Sequence, residues 1–186
     1  MRAEHITVCY GEKTVLKDFS TEFAEYGCTC IMGANGCGKT TLLRVLAGLI
    51  SPQAGQIFHP LQPAAYLFQD DRLLPWLSVS DNLVFFNGKE NQAEANFWLE
   101  RFGLEKNDKR MPKQLSGGMR QRAALAIAFS ANSRLLLLDE PYRALDRAFS
   151  DVLTGAIREQ KEKKAIVLVT HEEKWAEDLA DCVIRM

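Results

Sequence analysis

The residues that decide the fold lie at positions 33–40, with the sequence GANGCGKT, directly after the apolar run CTCIM of residues 28–32. Three glycines in six positions are followed by Lys39 and Thr40. This spacing, Gly-x4-Gly-Lys-Thr, fits the P-loop pattern, which needs a strand before it and a helix after it. In a P-loop the backbone N–H groups curl around phosphate oxygens, and an inward Cβ would block that curl. We interpret the three glycines as positions cleared of side chains for a triphosphate.

Lys39 and Thr40 have separate predicted roles in this loop. The Lys39 ammonium would reach the β- and γ-phosphates, and the Thr40 hydroxyl would bind Mg²⁺. The helix that opens at Lys39 adds its unpaired N–H groups and the positive end of its dipole. The alternative is a glycine turn followed by a capped helix. The strand and helix patterns on either side favour the P-loop.

Composition restricts the classes of function. The chain has 186 residues, 47% of them hydrophobic, which suits one domain with a sizeable core. A formal net charge of −1 gives no electrostatic reason to expect nucleic acid as a partner. No apolar run approaches the roughly 18–20 residues that cross a bilayer, and the amino end lacks an apolar segment of signal-peptide length. We predict a cytoplasmic protein whose membrane role, if any, comes from a partner.

The five cysteines, an odd number, predict free buried thiols in a reducing compartment. Cys28 and Cys30 alternate along a predicted strand and share one face. A zinc site there would need a second Cys/His pair at ligand spacing, and none follows.

The order of the predicted elements is that of a wound α/β domain. The strand patterns HITVCY, TVLKDFSTEF and CTCIM fill the first third, and a helix follows over TTLLRVLAGLI, with Gly48 in the left-handed closing position. After Leu115, helices alternate with the strands RLLLLDE, AIVLVT and DCVIRM, whose apolar runs are typical of a parallel sheet covered on both faces. The stretch between is helical and aromatic, and its segment NQAEANFWLERFG starts with an N-cap pattern, Asn91 with Glu94. We predict an α/β core carrying a helical insertion.

An acidic pair ends the strand in LLLLDEP, residues 135–141. Asp139 falls at the carboxyl end of a buried strand, where open α/β sheets bind ligands, and a P-loop site needs such an acid to hold its metal. Pro141 biases Glu140 towards extended backbone, which suits a carboxylate facing the γ-phosphate as a base for water. An acidic pair in this place also serves as a helix cap, but the upstream P-loop favours the metal and base roles.

His171 and Gln69 are ambiguous from the residues alone. His171 closes the strand AIVLVT, but Thr170 and Glu173 have the spacing of a capping box, which favours a structural role for the histidine. Gln69 follows the short strand pattern PAAYLF and carries no chemical signal of its own.

The segment LSGGMRQR, residues 115–122, changes this weighing. Together with the P-loop, LLLLDEP, the RALD of residues 143–146 and His171, in that order, it resembles the nucleotide-binding subunit of ABC transporters. A serine-capped glycine entry to an amphipathic helix would account for this segment, but not for the accompanying motifs. The resemblance implies an α/β fold, that of a P-loop NTPase of the ABC ATPase type, with an antiparallel β subdomain and a helical insertion. It implies a single ABC ATP-binding domain over residues 1–186, with a core at 1–69 and 115–186 and a helical subdomain at about 70–114.

The resemblance also assigns site residues. Tyr10 matches the aromatic that stacks on adenine, and Asp139 matches the carboxylate that holds Mg²⁺ through water. Glu140 matches the catalytic base, His171 the switch histidine on the γ-phosphate, and Gln69 the glutamine that senses Mg²⁺ and the attacking water. The implied catalytic residues are Lys39, Gln69, Glu140 and His171, and the implied metal residues are Thr40, Gln69 and Asp139. The implied nucleotide-binding residues are Tyr10, Gly33, Ala34, Asn35, Gly36, Cys37, Gly38, Lys39, Thr40, Thr41, Ser116, Gly117 and Gly118.

A second subunit follows from the same family pattern. In such proteins the signature of one subunit covers the nucleotide on the P-loop of the other, and Ser116 with the next helix's N–H groups forms a suitable anion site. One P-loop and one signature leave two incomplete half-sites. The resemblance therefore implies ATP-dependent dimerisation with a second copy or a paralogous ABC subunit, with Asp146 as the dimer-contact aspartate. Arg143 departs from the small residue that is frequent at its position.

The loop FQDDRLLPWLSVSDNL, residues 68–83, resembles that of bacterial importer subunits, particularly those serving nitrate, sulfonates, taurine and thiamine-type pyrimidines. Leu73, Leu74 and Trp76 are large apolar groups in a non-periodic loop, as expected of a groove that receives a partner's short helix. A hydrophobic plug beneath the helical insertion is the alternative for Trp76.

We predict the ATP-binding and ATP-hydrolysing subunit of a membrane importer. Its expected cofactors are ATP and Mg²⁺, its partners are integral membrane permease subunits, and its place is the cytoplasmic face of the inner membrane. The alternative is a soluble ABC ATPase not coupled to transport, acting in iron–sulfur assembly or as a nucleotide switch. Because the chain ends at Met186, soon after the last strand, we expect no built-in regulation.

Overall fold

The structure, a computed structural model, describes residues 1–143 and 145–186, so that Ala144 of the RALD segment lies outside the described residues. Its contacts divide the chain into two units. Unit 1 comprises residues 1–66, 133–140 and 157–186, and unit 2 comprises residues 67–132 and 141–156. The stretch at about 70–114, expected to form a helical subdomain, lies within unit 2.

The described residues form eight strands in two sheets. An antiparallel sheet has the order β2-β1-β4, and a parallel sheet has the order β5-β6-β7-β3-β8. The parallel sheet predicted for the LLLLD and AIVLV strands is confirmed, and the two strands pair with Leu135 opposite Ala165 and Asp139 opposite Val169. The strands are β1 (Arg2–Tyr10), β2 (Lys13–Glu22), β3 (Gly27–Met32), β4 (Ala54–Phe58), β5 (Ala64–Leu67), β6 (Leu135–Asp139), β7 (Ala165–Val169) and β8 (Cys182–Arg185).

The core of unit 1 lies around β6 and β7, in which every residue is buried. The apolar face of α1 contributes Leu42, Leu43 and Leu46, each of which is at most 1% exposed. β8 lies at one edge of this sheet and is mostly exposed, whereas β6 and β7 lie inside the sheet and are buried. β4 gave no sequence pattern, because three of its five residues are exposed and it has no apolar alternation.

Six α-helices are described: α1 (Lys39–Leu46), α2 (Val79–Asn87), α3 (Gln92–Arg101), α4 (Gly117–Ser130), α5 (Arg147–Lys161) and α6 (Glu173–Leu179). The end of α1 is as predicted, with Gly48 at a φ of 73°. Ser78 and Ser116 cap α2 and α4, since their side chains accept hydrogen bonds from Asp81 N–H and Met119 N–H.

Two predicted caps are wrong. Asn91 makes no capping hydrogen bond to α3; its amide donates instead to the Asn87 carbonyl, while Glu94 accepts from the Trp98 indole at 2.8 Å. Thr170 does not cap α6, because the helix starts at Glu173 and Thr170 accepts from Glu172 N–H instead. In both cases the side chain hydrogen-bonds to a nearby backbone group instead of capping the helix that its spacing predicts.

Unit 2 has an aromatic core. Trp98, Phe102 and Phe129 are almost completely buried, with ring centroids 4.8–5.5 Å apart. Trp76 lies outside this core with 67% of its surface exposed, so that the alternative of a hydrophobic plug is wrong for Trp76. The fully buried Asn82 shapes the adjoining loop by accepting from Leu74 N–H at 2.7 Å and donating to three carbonyls.

Two further properties concern the whole described chain. Across residues 1–143 and 145–186, no helix combines the length and apolarity needed to cross a membrane. All five cysteines are free thiols; Cys28 and Cys30 are buried as expected, whereas Cys182 is exposed.

Candidate active site

The GANGCGKT segment joins β3 to α1 in unit 1. Gly38 occupies the N-cap of α1 at a φ of 109°, and no side chain caps this helix. The first intrahelical bond runs from Leu42 N–H to the Gly38 carbonyl at 2.8 Å. The N–H groups of residues 38–41 therefore have no helical acceptor, as at every helix start, and together with the helix dipole they favour an anion.

The Lys39 ammonium contacts the backbone of this loop. Its side chain is largely buried, with 7% of the residue exposed, and Nζ donates to the carbonyls of Gly33 at 2.8 Å and Ala34 at 2.9 Å. Neutral carbonyls are incomplete partners for a buried ammonium, because burying a charge is costly without an opposite charge. The loop thus presents a fixed cation that an anionic ligand would neutralise.

Two glycines of the loop lie against other parts of the protein. A Cβ on Gly38 would lie 2.7 Å from Leu16 Cδ2 and 3.1 Å from the Val15 carbonyl, and one on Gly33 would lie 2.6 Å from the Met186 carbonyl. At these two positions contacts with neighbouring protein atoms also favour glycine. The interpretation that the loop is cleared of side chains for a triphosphate stays a prediction. Gly36, at a φ of 80°, has open space where its Cβ would be.

Asp139 ends β6 and is 2% exposed. Tyr66 donates to its Oδ2 at 3.3 Å, while Oδ1 is without a hydrogen-bond partner in the described part of the chain. Burial raises the pKa of Asp139, and the nearby hydroxyls of Thr40 and Tyr66 oppose this rise. Burial and the nearby Asp139 charge raise the pKa of Tyr66 as well. A buried carboxylate with an open oxygen and a Thr40 hydroxyl beside it suits a hard cation with oxygen ligands, which is what Mg²⁺ requires.

Glu140 and His171 meet beyond the ends of β6 and β7. His171 Nδ1 lies 2.9 Å from Glu140 Oε2, and Glu140 N–H donates to the Val169 carbonyl at 3.0 Å. The expected extended backbone at Glu140 is wrong, because its φ is 52°, in the left-handed region. That conformation costs about 1 kcal/mol for a residue with a Cβ. The hydrogen bonds to Val169 and His171 hold Glu140 in this conformation.

The signature segment lies in unit 2. Ser116 caps α4 through Met119 N–H at 3.2 Å, and Gly117 and Gly118 form the first turn. Gln69 lies in the same unit, and it lines with Gly117 a cleft of about 220 Å³. The other lining residues of this cleft are Asp70, Asp71, Gln121 and Arg143.

Asp146 has two contacts within unit 2. Its Oδ1 accepts from Phe149 N–H at 2.8 Å, which caps α5, and its Oδ2 pairs with Arg122 at 2.7 Å. The Phe149 hydrogen bond and the Arg122 charge lower the pKa of Asp146. The dimer contact that the resemblance implies for this aspartate stays a prediction.

The two units thus hold different parts of the predicted site. Unit 1 holds the P-loop, Asp139, the Glu140–His171 pair and Tyr10, which ends β1 with 47% of its surface exposed. Unit 2 holds Gln69 and residues 116–118. Sequence reasoning missed Tyr66, whose contact with Asp139 depends on β5 lying beside β6, an order that no motif gives. It also missed Arg122, since an arginine on a helix carries no sign of its partner.

Comparison with known proteins decides the family. Residues 16–143 match the family described as ABC transporter. This chain belongs to the ABC transporter family. Its similarity to an aliphatic sulfonates import ATP-binding protein of Xanthomonas axonopodis is 39% identity over 193 residues, which covers 99% of the chain and 66% of that relative. A taurine import ATP-binding protein of Escherichia coli O157:H7 is 37% identical over 187 residues, covering 92% of the chain and 73% of the relative.

Solved structures agree on the fold of this ABC protein. An ATP-binding subunit of an ABC transporter aligns with a TM-score of 0.91 at 25% identity, over 100% of this chain and 85% of that one. A dimeric ATP-binding cassette in a post-hydrolysis state, bound to ADP and Pi, aligns with a TM-score of 0.86 at 26% identity, over 100% of this chain and 93% of that one. The predicted family and the α/β fold of an ABC ATPase are both confirmed.

Proposed function

We propose that this ABC protein is the ATP-binding and ATP-hydrolysing subunit of a membrane importer. The observation that carries the proposal is the uncapped start of α1 with the buried Lys39 ammonium at the P-loop, in the same unit as Asp139 and its open oxygen. An anion site and a cation site so placed suit the two charges of a metal–triphosphate complex. The import relatives add support, because an aliphatic sulfonates import ATP-binding protein matches 99% of this chain.

The P-loop residues Gly33–Thr41 would bind the phosphates and Tyr10 the adenine. Lys39 would exchange its contacts with the Gly33 and Ala34 carbonyls for phosphate oxygens, which bear the opposite charge it lacks. Thr40 and Asp139 would hold Mg²⁺, and the metal role of Gln69 in unit 2 stays a prediction. When bound, that ion would offset phosphate charge during transfer.

Glu140 would act as the base that orients or deprotonates water. The carboxylate is only 15% exposed and is held by His171, whose side chain is 62% exposed. His171 therefore fixes the carboxylate from the solvent side and would itself meet the γ-phosphate. The hydrogen bond from Glu140 N–H to the Val169 carbonyl anchors the Glu140 backbone at the end of β7.

A second copy would complete the site. Ser116, Gly117 and Gly118 begin α4, a 14-residue helix, in an exposed part of unit 2. Their N–H groups suit a phosphate held by another chain, and a dimeric cassette is among the similar structures. We propose ATP-dependent dimerisation, with a copy of this chain or a paralogous ABC subunit.

Permease subunits at the cytoplasmic face of the membrane would be the other partners. Trp76 is two-thirds exposed, and it lies in a loop whose backbone at Leu74 is held by a hydrogen bond to Asn82. An exposed tryptophan is the kind of residue that anchors an interface. The relatives that are named as import proteins for sulfonates and taurine suggest a small anionic sulfonate as the transported solute.

Two substitutions test the ATPase. Lys39→Ala should abolish ATP binding, because it removes the fixed cation of the loop. Glu140→Gln should bind ATP but lose at least about 100-fold in turnover, since a general base contributes on the order of 10²–10⁴. Calorimetry with Mg²⁺ in excess measures binding, and phosphate release measures turnover.

The control is Lys163→Ala, which removes an exposed lysine outside the site and should behave as wild type. Sedimentation of the Glu140→Gln protein with ATP should show a dimer. Wild-type ATP hydrolysis in both site variants would refute the assignment. A Glu140→Gln protein that stays monomeric with ATP would refute the dimer.

A further inference from the structure

Tyr66 gives the buried acid of the site two unlike oxygens. Its hydroxyl, on β5, donates to Oδ2 of Asp139 on the neighbouring β6 at 3.3 Å. Asp139 is 2% exposed, and its Oδ1 lacks a hydrogen-bond partner among the residues that the structure describes. Both residues belong to unit 1, so this contact lies inside one unit.

An ionised carboxylate accepts about four hydrogen bonds over its two oxygens. A buried carboxylate needs donors or a cation to offset its lost hydration. Tyr66 serves one oxygen only, and a phenol has a single proton to donate. The other oxygen is left to a cation or its water, and a donor on Oδ2 resists rotation of the carboxylate about its Cβ–Cγ bond.

We propose that Tyr66 is a positioning residue for the metal site: its hydroxyl fixes Asp139 through Oδ2 and so reserves Oδ1 for the magnesium ion or its water. This inference rests on the proposed function. It goes beyond it by giving a role to a residue that lies outside both the P-loop and the LLLLDEP segment.

A structural role and a positioning role for Tyr66 predict different effects when its hydroxyl is removed. If the hydroxyl only satisfied a buried acid, its loss would lower stability and leave metal binding alone. Groups that orient a metal ligand from behind typically cost 10–100-fold in metal affinity when removed. A single hydrogen bond of 3.3 Å belongs at the low end of that range, so the expected loss is about tenfold.

The experiment compares ATP affinity with and without Mg²⁺. Each protein carries Glu140→Gln to prevent turnover, and calorimetry gives the ATP dissociation constant first with EDTA and then with excess Mg²⁺. The ratio of the two constants is the factor by which the metal tightens binding. Tyr66→Phe should lower this factor about tenfold, while ATP affinity in EDTA stays within twofold of the parent.

Tyr142→Phe is the matched control. Tyr142 is a buried tyrosine of unit 2, and its hydroxyl lies 3.0 Å from Thr154 Oγ1. Both variants lose one phenolic hydroxyl, so both should melt at a lower temperature than the parent. Only Tyr66→Phe should lower the metal factor. Thermal melts by circular dichroism set a working temperature at which every variant is folded.

Asp139→Asn separates failure of the inference from failure of the proposed function. If Asp139→Asn loses the metal factor and Tyr66→Phe matches Tyr142→Phe within twofold, the role of Tyr66 is overturned and the metal role of Asp139 stands. If Asp139→Asn keeps the full factor, the metal role of Asp139 and the role of Tyr66 are both overturned. A tenfold loss in Tyr66→Phe alone of the two tyrosine variants supports the inference.

Discussion

Asp139 shows at the scale of one residue how a site is built at the expense of stability. Burial raises the pKa of this carboxyl, which means that the folded protein binds its proton more tightly than the unfolded chain does. A raised pKa gives stability that is present below the unfolded pKa, about 3.9, and is lost as pH rises through the folded pKa. At neutral pH the metal-free protein therefore carries an unfavourable buried charge.

The first prediction concerns that charge. Without metal at pH 7, Asp139→Asn should raise the melting temperature by about 2–4 °C, the shift that about 1 kcal/mol produces in a chain of this size. The gain should shrink as pH falls through the raised pKa of Asp139, because the wild-type carboxyl then takes up its proton. Melts in EDTA from pH 4.5 to pH 8 measure it. With Mg²⁺ and ATP the order should reverse, since only wild type gains the metal; an unchanged order would contradict the metal role.

Residue identities that carry a motif could be predicted, and residue conformations could not. The P-loop lysine and the acidic pair were placed on the correct elements, because strand and helix patterns flank them. The left-handed backbone of Glu140 was missed, because a proline at the next position favours extended backbone. The hydrogen bonds of Glu140 to Val169 and His171 join residues far apart in the sequence, and no local pattern indicates them. Tyr66 was missed because its partner is set by strand order.

At the scale of elements, the junction between the P-loop and α1 is held by contact with β2. Gly38 begins α1, and its missing side chain leaves room for Leu16 and the Val15 carbonyl of β2. The apolar face of α1 then packs on the core strands. Patterns along the sequence gave α1 and its left-handed end, but the β2 contact is long-range and has no local sign. The caps of α3 and α6 failed for a related reason, as nearby acceptors and donors competed for the side chains.

Two alanine substitutions compare the glycines of this junction. Gly36→Ala should cost about 1 kcal/mol, because it meets open space and bears only the strain of a positive φ. Gly38→Ala should cost about 3 kcal/mol, since a clash with Leu16 and a backbone carbonyl adds to the same strain. Urea unfolding of the metal-free and nucleotide-free proteins measures both values. Equal costs would mean that the β2 contact does not select glycine at position 38.

At the scale of the whole molecule, the chain carries one copy of each motif of the proposed ATPase site. Unit 1 carries one P-loop and unit 2 one signature, and the importer proposal adds a membrane partner at Trp76. The sequence predicts an ATPase subunit through motif order and a membrane partner through a loop resemblance, and that partner stays a proposal. It could not predict that Trp76 is exposed, because an apolar residue in a non-periodic loop fits a buried plug equally well.

The last prediction tests that partner. Trp76→Ala should leave ATP binding and ATP-dependent dimerisation of the isolated protein unchanged, since the side chain is 67% exposed and makes no part of the nucleotide site. Assembly with the permease should weaken at least about 30-fold, because a tryptophan anchor of an interface contributes about 2 kcal/mol or more. The tagged protein is expressed in its own cells, the membranes are dissolved in detergent, and the integral membrane subunits that remain attached are quantified. Tyr26→Ala removes an aromatic ring of similar exposure, 62%, from unit 1 and should recover wild-type amounts. Equal recovery with Trp76→Ala would remove Trp76 from the interface, and absence of any membrane subunit with the wild-type protein would favour a soluble ABC ATPase.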